Sequence, residues 1–110
     1  SPLLASPLLA SPLLARAVEF TQLISARKYD EAKVYFSSSL PKGARKSWDK
    51  FNSTFDTTYE AFTGLYSWHI YKVEKGLPVA KLVFITKKGG KPRITIPMKK
   101  EDGKWMVAGY

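Results

Sequence analysis

The segment Glu101-Asp102-Gly103-Lys104-Trp105-Met106-Val107-Ala108-Gly109-Tyr110 constrains the fold more than any other part of the chain. Asp-Gly suits the two left-handed positions of a two-residue hairpin turn, and a Trp opens the apolar run that follows. The chain therefore closes on a strand, a tight turn and a return strand. The same period-two character begins near Leu65 and predicts strands over 65–75, 79–88, 92–100 and 104–110. Their turns are Gly76-Leu77-Pro78, Gly89-Gly90 and Asp102-Gly103. Four successive strands joined by short turns make an antiparallel meander, with Trp105 and Val107 on one face.

Before residue 65 the apolar period is helical. Ser11 is placed to cap a first helix, and Pro12 suits its first position. Leu13, Ala17, Phe20 and Ile24 then form one stripe, and Arg27-Lys28 suits the C-terminus. A second helix, about 30–37, starts at Asp30 and buries Ala32 with Tyr35 or Phe36. Ser37-Ser38-Ser39-Leu40-Pro41 reads as a loop. A third helix, about 42–57, carries Ala44, Trp48, Phe51 and Phe55 at helical spacing. Three helices before one curved antiparallel sheet give an α+β fold. At 110 residues and 45% hydrophobic, the chain suits one domain with a real core. It has no cysteine, which excludes a disulfide scaffold, a thiolate zinc site and a thiol nucleophile.

Residues 1–15 repeat Ser-Pro-Leu-Leu-Ala three times. A five-residue period spreads the leucines around a helix instead of aligning them, and three prolines oppose a continuous helix. The stretch is too short and too broken to span a bilayer, and no basic region precedes it. We divide the chain into a repeat tail or linker over 1–12 and a domain over 13–110. The tail reads as an extended linker, as the remnant of an export or stalk segment, or as an apolar arm for a neighbouring subunit. An exported or cell-surface setting is favoured over a cytoplasmic one.

Eighteen Lys and Arg against nine Asp and Glu give a net charge of +9. Such a field attracts anionic partners. The cations are scattered, with modest groups at Lys42/Arg45/Lys46/Lys50 and Lys87/Lys88/Lys91/Arg93. That scatter argues for solubility over a dedicated nucleic-acid site, with any polyanion binding weak and non-specific.

The run Ala17-Val-Glu-Phe-Thr-Gln-Leu-Ile-Ser-Ala-Arg-Lys-Tyr-Asp-Glu-Ala32, Trp48 in the third helix, and the closing Glu101–Tyr110 hairpin together resemble the nuclear transport factor 2-like, or cystatin-like cone, superfamily. The resemblance covers about residues 13–110 and is nearest to small stand-alone domains of unassigned function. It implies helices packed into a strongly bent sheet with a pocket in the cone. Dehydratases, isomerases, binding proteins and many dimers share that scaffold, so fold alone does not choose the function.

Enzymes of the superfamily place an acid/base group inside the cone. Taking Lys72 as solvent-facing, alternation sends Ser67, His69, Tyr71 and Val73 inward and Tyr66, Trp68 and Ile70 outward. His69 is then the one catalytic candidate, with Tyr35 or Tyr59 as hydrogen-bond partner. No carboxylate orients it on the strands, though Asp56 and Glu60 end the third helix nearby. Trp48, Phe51, Phe55, His69 and Tyr71 are expected to line a pocket for a small apolar ligand or peptide. On the second strand, Val83 and Ile85 share the parity of Lys81, so Tyr66, Trp68, Ile70, Val83 and Ile85 are expected to form an outward interface patch for self-association. One His and no Cys leave no metal site, and no cofactor fingerprint is present. Asn52-Ser53-Thr54 has the form of a glycosylation acceptor but lies mid-helix. The sequence thus favours a non-catalytic binding or self-assembly module over a small dehydratase- or isomerase-like enzyme using His69, or a weak polyanion binder.

Overall fold

The computed structural model describes residues 11–40, 43–44, 47–72 and 76–109. The first two Ser-Pro-Leu-Leu-Ala repeats, Pro41, Lys42, Arg45, Lys46, Val73 and Tyr110, all named above, lie outside the described residues. Among the described residues the chain forms α1 (Pro12–Ser25), α2 (Tyr29–Ala32, continued by a 3₁₀ turn over Lys33–Tyr35) and α3 (Trp48–Thr58). The strands are β1 (Phe62–Lys72), β2 (Pro78–Thr86), β3 (Arg93–Glu101) and β4 (Lys104–Val107). They lie in the order β1-β2-β3-β4, each antiparallel to the next. The fold is the α+β meander expected from the sequence.

The third repeat enters α1, where Pro12 fills the first position and Ser11 has the extended backbone of a cap (φ −122°, ψ 99°). Contrary to expectation, the Ser11 side chain makes no capping hydrogen bond. The predicted stripe Leu13, Ala17, Phe20 and Ile24 is buried throughout. At its other end α1 stops in a Schellman motif. The Lys28 N–H donates to the Leu23 carbonyl at 2.8 Å, and the Arg27 N–H to the Ile24 carbonyl at 2.9 Å. The motif requires a left-handed residue, and Arg27 takes it at φ 62° without being glycine. Its side chain offsets that strain. The guanidinium pairs with Asp56 at 3.0 Å, donates to the Tyr59 carbonyl at 2.6 Å and covers the Phe55 ring at 4.8 Å. Tyr29 donates to the same Asp56.

These contacts fix where β1 begins. Ser25 Oγ accepts the Phe62 N–H at 2.8 Å, tying the end of α1 to the start of the strand. At the other end of α1, Arg16 donates to the Trp105 carbonyl at 2.9 Å and lies over the Tyr35 ring at 4.1 Å. The helix is thereby pinned to both edge strands of the sheet. The Asp102-Gly103 turn has the two positive φ values that its sequence calls for, 50° and 80°. Val107 is fully buried and Trp105 half-buried against the same core, as expected.

Between helices and sheet the core is a chain of aromatic rings. Phe36 meets Trp48 edge-on at 4.9 Å, Trp48 stacks on Phe51 at 5.2 Å, and Phe55 reaches Phe62 at 5.8 Å. Phe62 in turn stacks on Phe84 of β2 at 4.4 Å. Leu82, Phe84, Ile96 and Met98 complete the buried side of the sheet. Trp48, Phe51 and Phe55 are thus packing residues that join α3 to the strands.

The register overturns the expected parity of β1. Ile70 pairs with Ala80, Trp68 with Leu82 and Leu65 with Phe84, so these stand in the helix-facing rows. Ser67 pairs with Val83, His69 with Lys81 and Tyr71 with Val79, in the rows of the face that no helix among the described residues covers, called here the helix-free face. Directly opposed residues share a face, so Ser67, His69 and Tyr71 do not point toward the helices. The cause is the residue that anchors the count. Lys72 pairs with Pro78 at the end of the hairpin, where a lysine reaches solvent from either face and marks neither. Irregularities between Phe62 and Gly64 and between Leu65 and Ser67 break simple alternation only before Ser67.

Candidate functional site

The corrected register separates the residues expected to act together. Trp48 and Phe55 are buried under the helices, whereas His69 and Tyr71 are exposed on the other side of the sheet. The set Trp48, Phe51, Phe55, His69 and Tyr71 therefore does not enclose one pocket. The expected outward row is divided as well. Val83 and Ile85 do share the face of Lys81, but Trp68 and Ile70 belong to the opposite rows and Ile70 packs on the core.

The partners expected for His69 are engaged elsewhere. The Tyr35 hydroxyl donates to Glu19 at 3.0 Å, and the Tyr59 ring packs on Phe55 at 4.8 Å. Asp56 is held by Arg27 and Tyr29, and Glu60 lies 3.6 Å from Lys88. Burial first, and then the bond to Asp56, raises the Tyr29 hydroxyl above the usual tyrosine range. Burial and the bond to Glu19 do the same at Tyr35. Both phenols are neutral donors in structural pairs remote from His69.

What the structure brings together instead is a groove of about 310 Å³ on the helix-free side, at the β1 edge. It is lined by Tyr66, Ser67, Trp68, His69, Lys81, Val83, Lys91 and Arg93. The geometry follows from the ladder. His69, Lys81 and Thr95 form one cross-strand row, and Ser67, Val83 and Arg93 form the next. Lys91 comes from the β2–β3 turn and sits 4.2 Å over the Tyr66 ring. The His69 ring lies near-parallel to that of Tyr71, at 21° and 5.9 Å. Among the described residues no carboxylate lines the groove.

Exposure and charge single out the same region. Among the described residues the exposed large apolar side chains are Val34, Tyr66 (57%), Trp68 (45%) and Tyr71 (37%), three of them on β1. Residues 62–110 carry ten Lys and Arg against three Asp and Glu, so the sheet half holds +7 of the net +9. The cations scattered in sequence are gathered by folding, because the meander lays Lys81 and Arg93 on adjacent strands. Sequence alone groups Lys91 with Arg93 but does not place them beside β1. The register that sets Lys72 opposite Pro78 is what pairs His69 with Lys81, and the turn residues alone do not supply it.

Elsewhere the surface is more mixed. A second depression, about 520 Å³, is lined by Lys33, Phe36, Ser38, Glu101, Asp102, Lys104 and Met106, and combines both charges. Glu101 is occupied there, taking the Ser38 N–H at 3.0 Å and its hydroxyl at 2.7 Å. Those bonds hold its carboxyl below the usual carboxylate range. Among the described residues no cluster of His, Asp or Glu is placed to hold a metal ion, and no helix is long and apolar enough to cross a membrane. Compared with protein-family models and with curated proteins, the chain matches none.

Proposed function

We propose that this domain is a non-catalytic binding module that takes anionic partners on the helix-free face of its sheet. The observation that carries the reading is the groove at the β1 edge, in which Lys81, Lys91 and Arg93 converge with His69 and, among the described residues, no carboxylate. Two cations on the sheet and a third on the adjoining turn attract anions at long range and hold them at short range. The element order, with its Trp-led closing hairpin, supports placing the domain in the nuclear transport factor 2-like superfamily.

Catalysis by His69 is the weaker reading. A general base needs an orienting partner, and Asp56, Glu60 and Tyr35 are bound elsewhere. Self-association through this same face would set Lys81 and Arg93 of one copy near those of another, so a negative partner fits it better than a second copy. The test is calorimetric titration with inorganic polyphosphate at low salt. The wild type binds, and Lys81→Glu with Arg93→Glu abolishes binding while the fold, followed by circular dichroism, persists. Undiminished binding by that folded double variant refutes the reading.

A further inference from the structure

We infer that the anionic partner is single-stranded nucleic acid, held by base stacking along β1 and by phosphate contacts along β2 and β3. This rests on the anion-binding reading above and adds to it a reason for the aromatic residues. Charge alone requires only Lys81, Lys91 and Arg93. It does not account for the exposed Tyr66 and Tyr71, with His69 between them, on the strand beside them.

The ladder arranges the two chemistries side by side. On the helix-free face, His69 and Tyr71 stand two residues apart on the edge strand, with near-parallel rings. Alternate residues of a strand are separated by about 6.6 Å, and neighbouring strands by about 4.8 Å. An aromatic column thus runs along the edge, and Lys81 flanks it one strand further in. Arg93 stands one strand beyond that, in the row of Ser67. A single strand lying along β1 sets its bases on the outer column and its phosphates over the inner cations.

Each part of the geometry selects against the other sources of phosphate. A duplex keeps its bases stacked inside and uses only the cations. Polyphosphate has no π-face to offer the rings. A lipid surface meets a broad apolar patch better than a groove walled by Lys91 and Arg93. The ammonium of Lys91 covers one side of the Tyr66 ring and is held at the groove in doing so.

The experiment uses the full chain and fluorescence anisotropy with labelled oligothymidylate and oligouridylate. Its competitors are a blunt DNA duplex of equal phosphate count, inorganic polyphosphate, and phosphatidylglycerol vesicles. Single strands are expected to bind about tenfold more tightly than the duplex. Tyr71→Ala is expected to weaken single-strand binding about tenfold while leaving polyphosphate binding unchanged. Tyr71→Phe keeps the π-face and retains wild-type affinity, which a merely structural role for the hydroxyl would not. Equal affinity for all polyanions, with no effect of Tyr71→Ala, overturns the stacking inference and leaves the anion reading standing. Binding to vesicles but not to oligonucleotides overturns it in favour of a membrane. Failure to bind any polyanion overturns both.

Discussion

Replacing Arg93 by Ala tests whether the groove, and not the general positive charge, holds the phosphates. Arg93 is exposed at the start of β3, so its loss leaves the core untouched. Three cations line the groove. If each neutralises one phosphate, the logarithm of affinity for a single strand falls with the logarithm of salt at a slope of about −2.1. A fourfold rise in salt then weakens binding about 18-fold. Arg93→Ala leaves two contacts and a slope of about −1.4, so the same rise costs about sevenfold. The assay is a set of anisotropy titrations with oligothymidylate at four salt concentrations between 50 and 200 mM, about a fourfold span. Lys50→Ala is the control, because Lys50 is exposed on α3, across the sheet from the groove. Each variant removes one positive charge, Arg93→Ala inside the groove and Lys50→Ala outside it. If they shift the slope equally, binding is a property of net charge and the groove has no part in it.

Arg27→Gly should be less destabilising than Arg27→Ala by about 1 kcal/mol, since glycine relieves the left-handed strain that alanine keeps; urea unfolding that ranks them the other way refutes the account of the α1 terminus. Ile70→Glu should cost about 3 kcal/mol or more, because it drives a carboxylate into the row of Ala80 and the core. Tyr71→Glu, one residue on and facing solvent, should stay within about 1 kcal/mol of wild type; matching urea midpoints for the two would show that Ile70 and Tyr71 do not occupy opposite faces of β1. Glu101 has a folded pKa lowered by Ser38, so its contribution is fully present above the ordinary carboxylate range and is lost as pH falls through the lower folded value. Melting temperatures of wild type and Glu101→Gln should therefore converge in acid, and a constant gap down to that range would refute the link.

Elements are legible in the sequence where local chemistry and tertiary context agree. Asp102-Gly103 specifies a turn whatever surrounds it, and its two positive φ values follow. The Leu13, Ala17, Phe20, Ile24 stripe identifies the buried face of α1 because a helix has one apolar side and the core takes it. β2 is legible for the same reason. Lys81 stands mid-strand, where a charge has a single way out, and it places Val83 and Ile85 on its own side. The third helix is expected over 42–57; Gly43 and Ala44 are helical, Ser47 is a turn, and the helix Trp48–Thr58 that follows it carries the aromatic face that the spacing predicts.

β1 defeats the same reasoning because two of its signals conflict. Tyr66, Trp68 and Ile70 alternate with polar Ser67 and His69, a pattern that by itself favours burying Trp68 and Ile70. The opposite parity rests on Lys72, which lies at the end of the hairpin and can reach water from any row. The irregularity between Leu65 and Ser67 also shifts alternation relative to the start of the strand. A slip of one residue exchanges every side chain between faces, and in β1 it exchanges the function with them. In one parity, β1 offers a buried His69 to a cone and an apolar Trp68 to a partner copy. In the register the structure adopts, His69 and Tyr71 stand beside Lys81 on the open face, and the same strand becomes the aromatic edge of a basic groove. The chemistry of the site is therefore carried by pairing between strands, which sets Lys81 and Arg93 beside the row that β1 leaves outward.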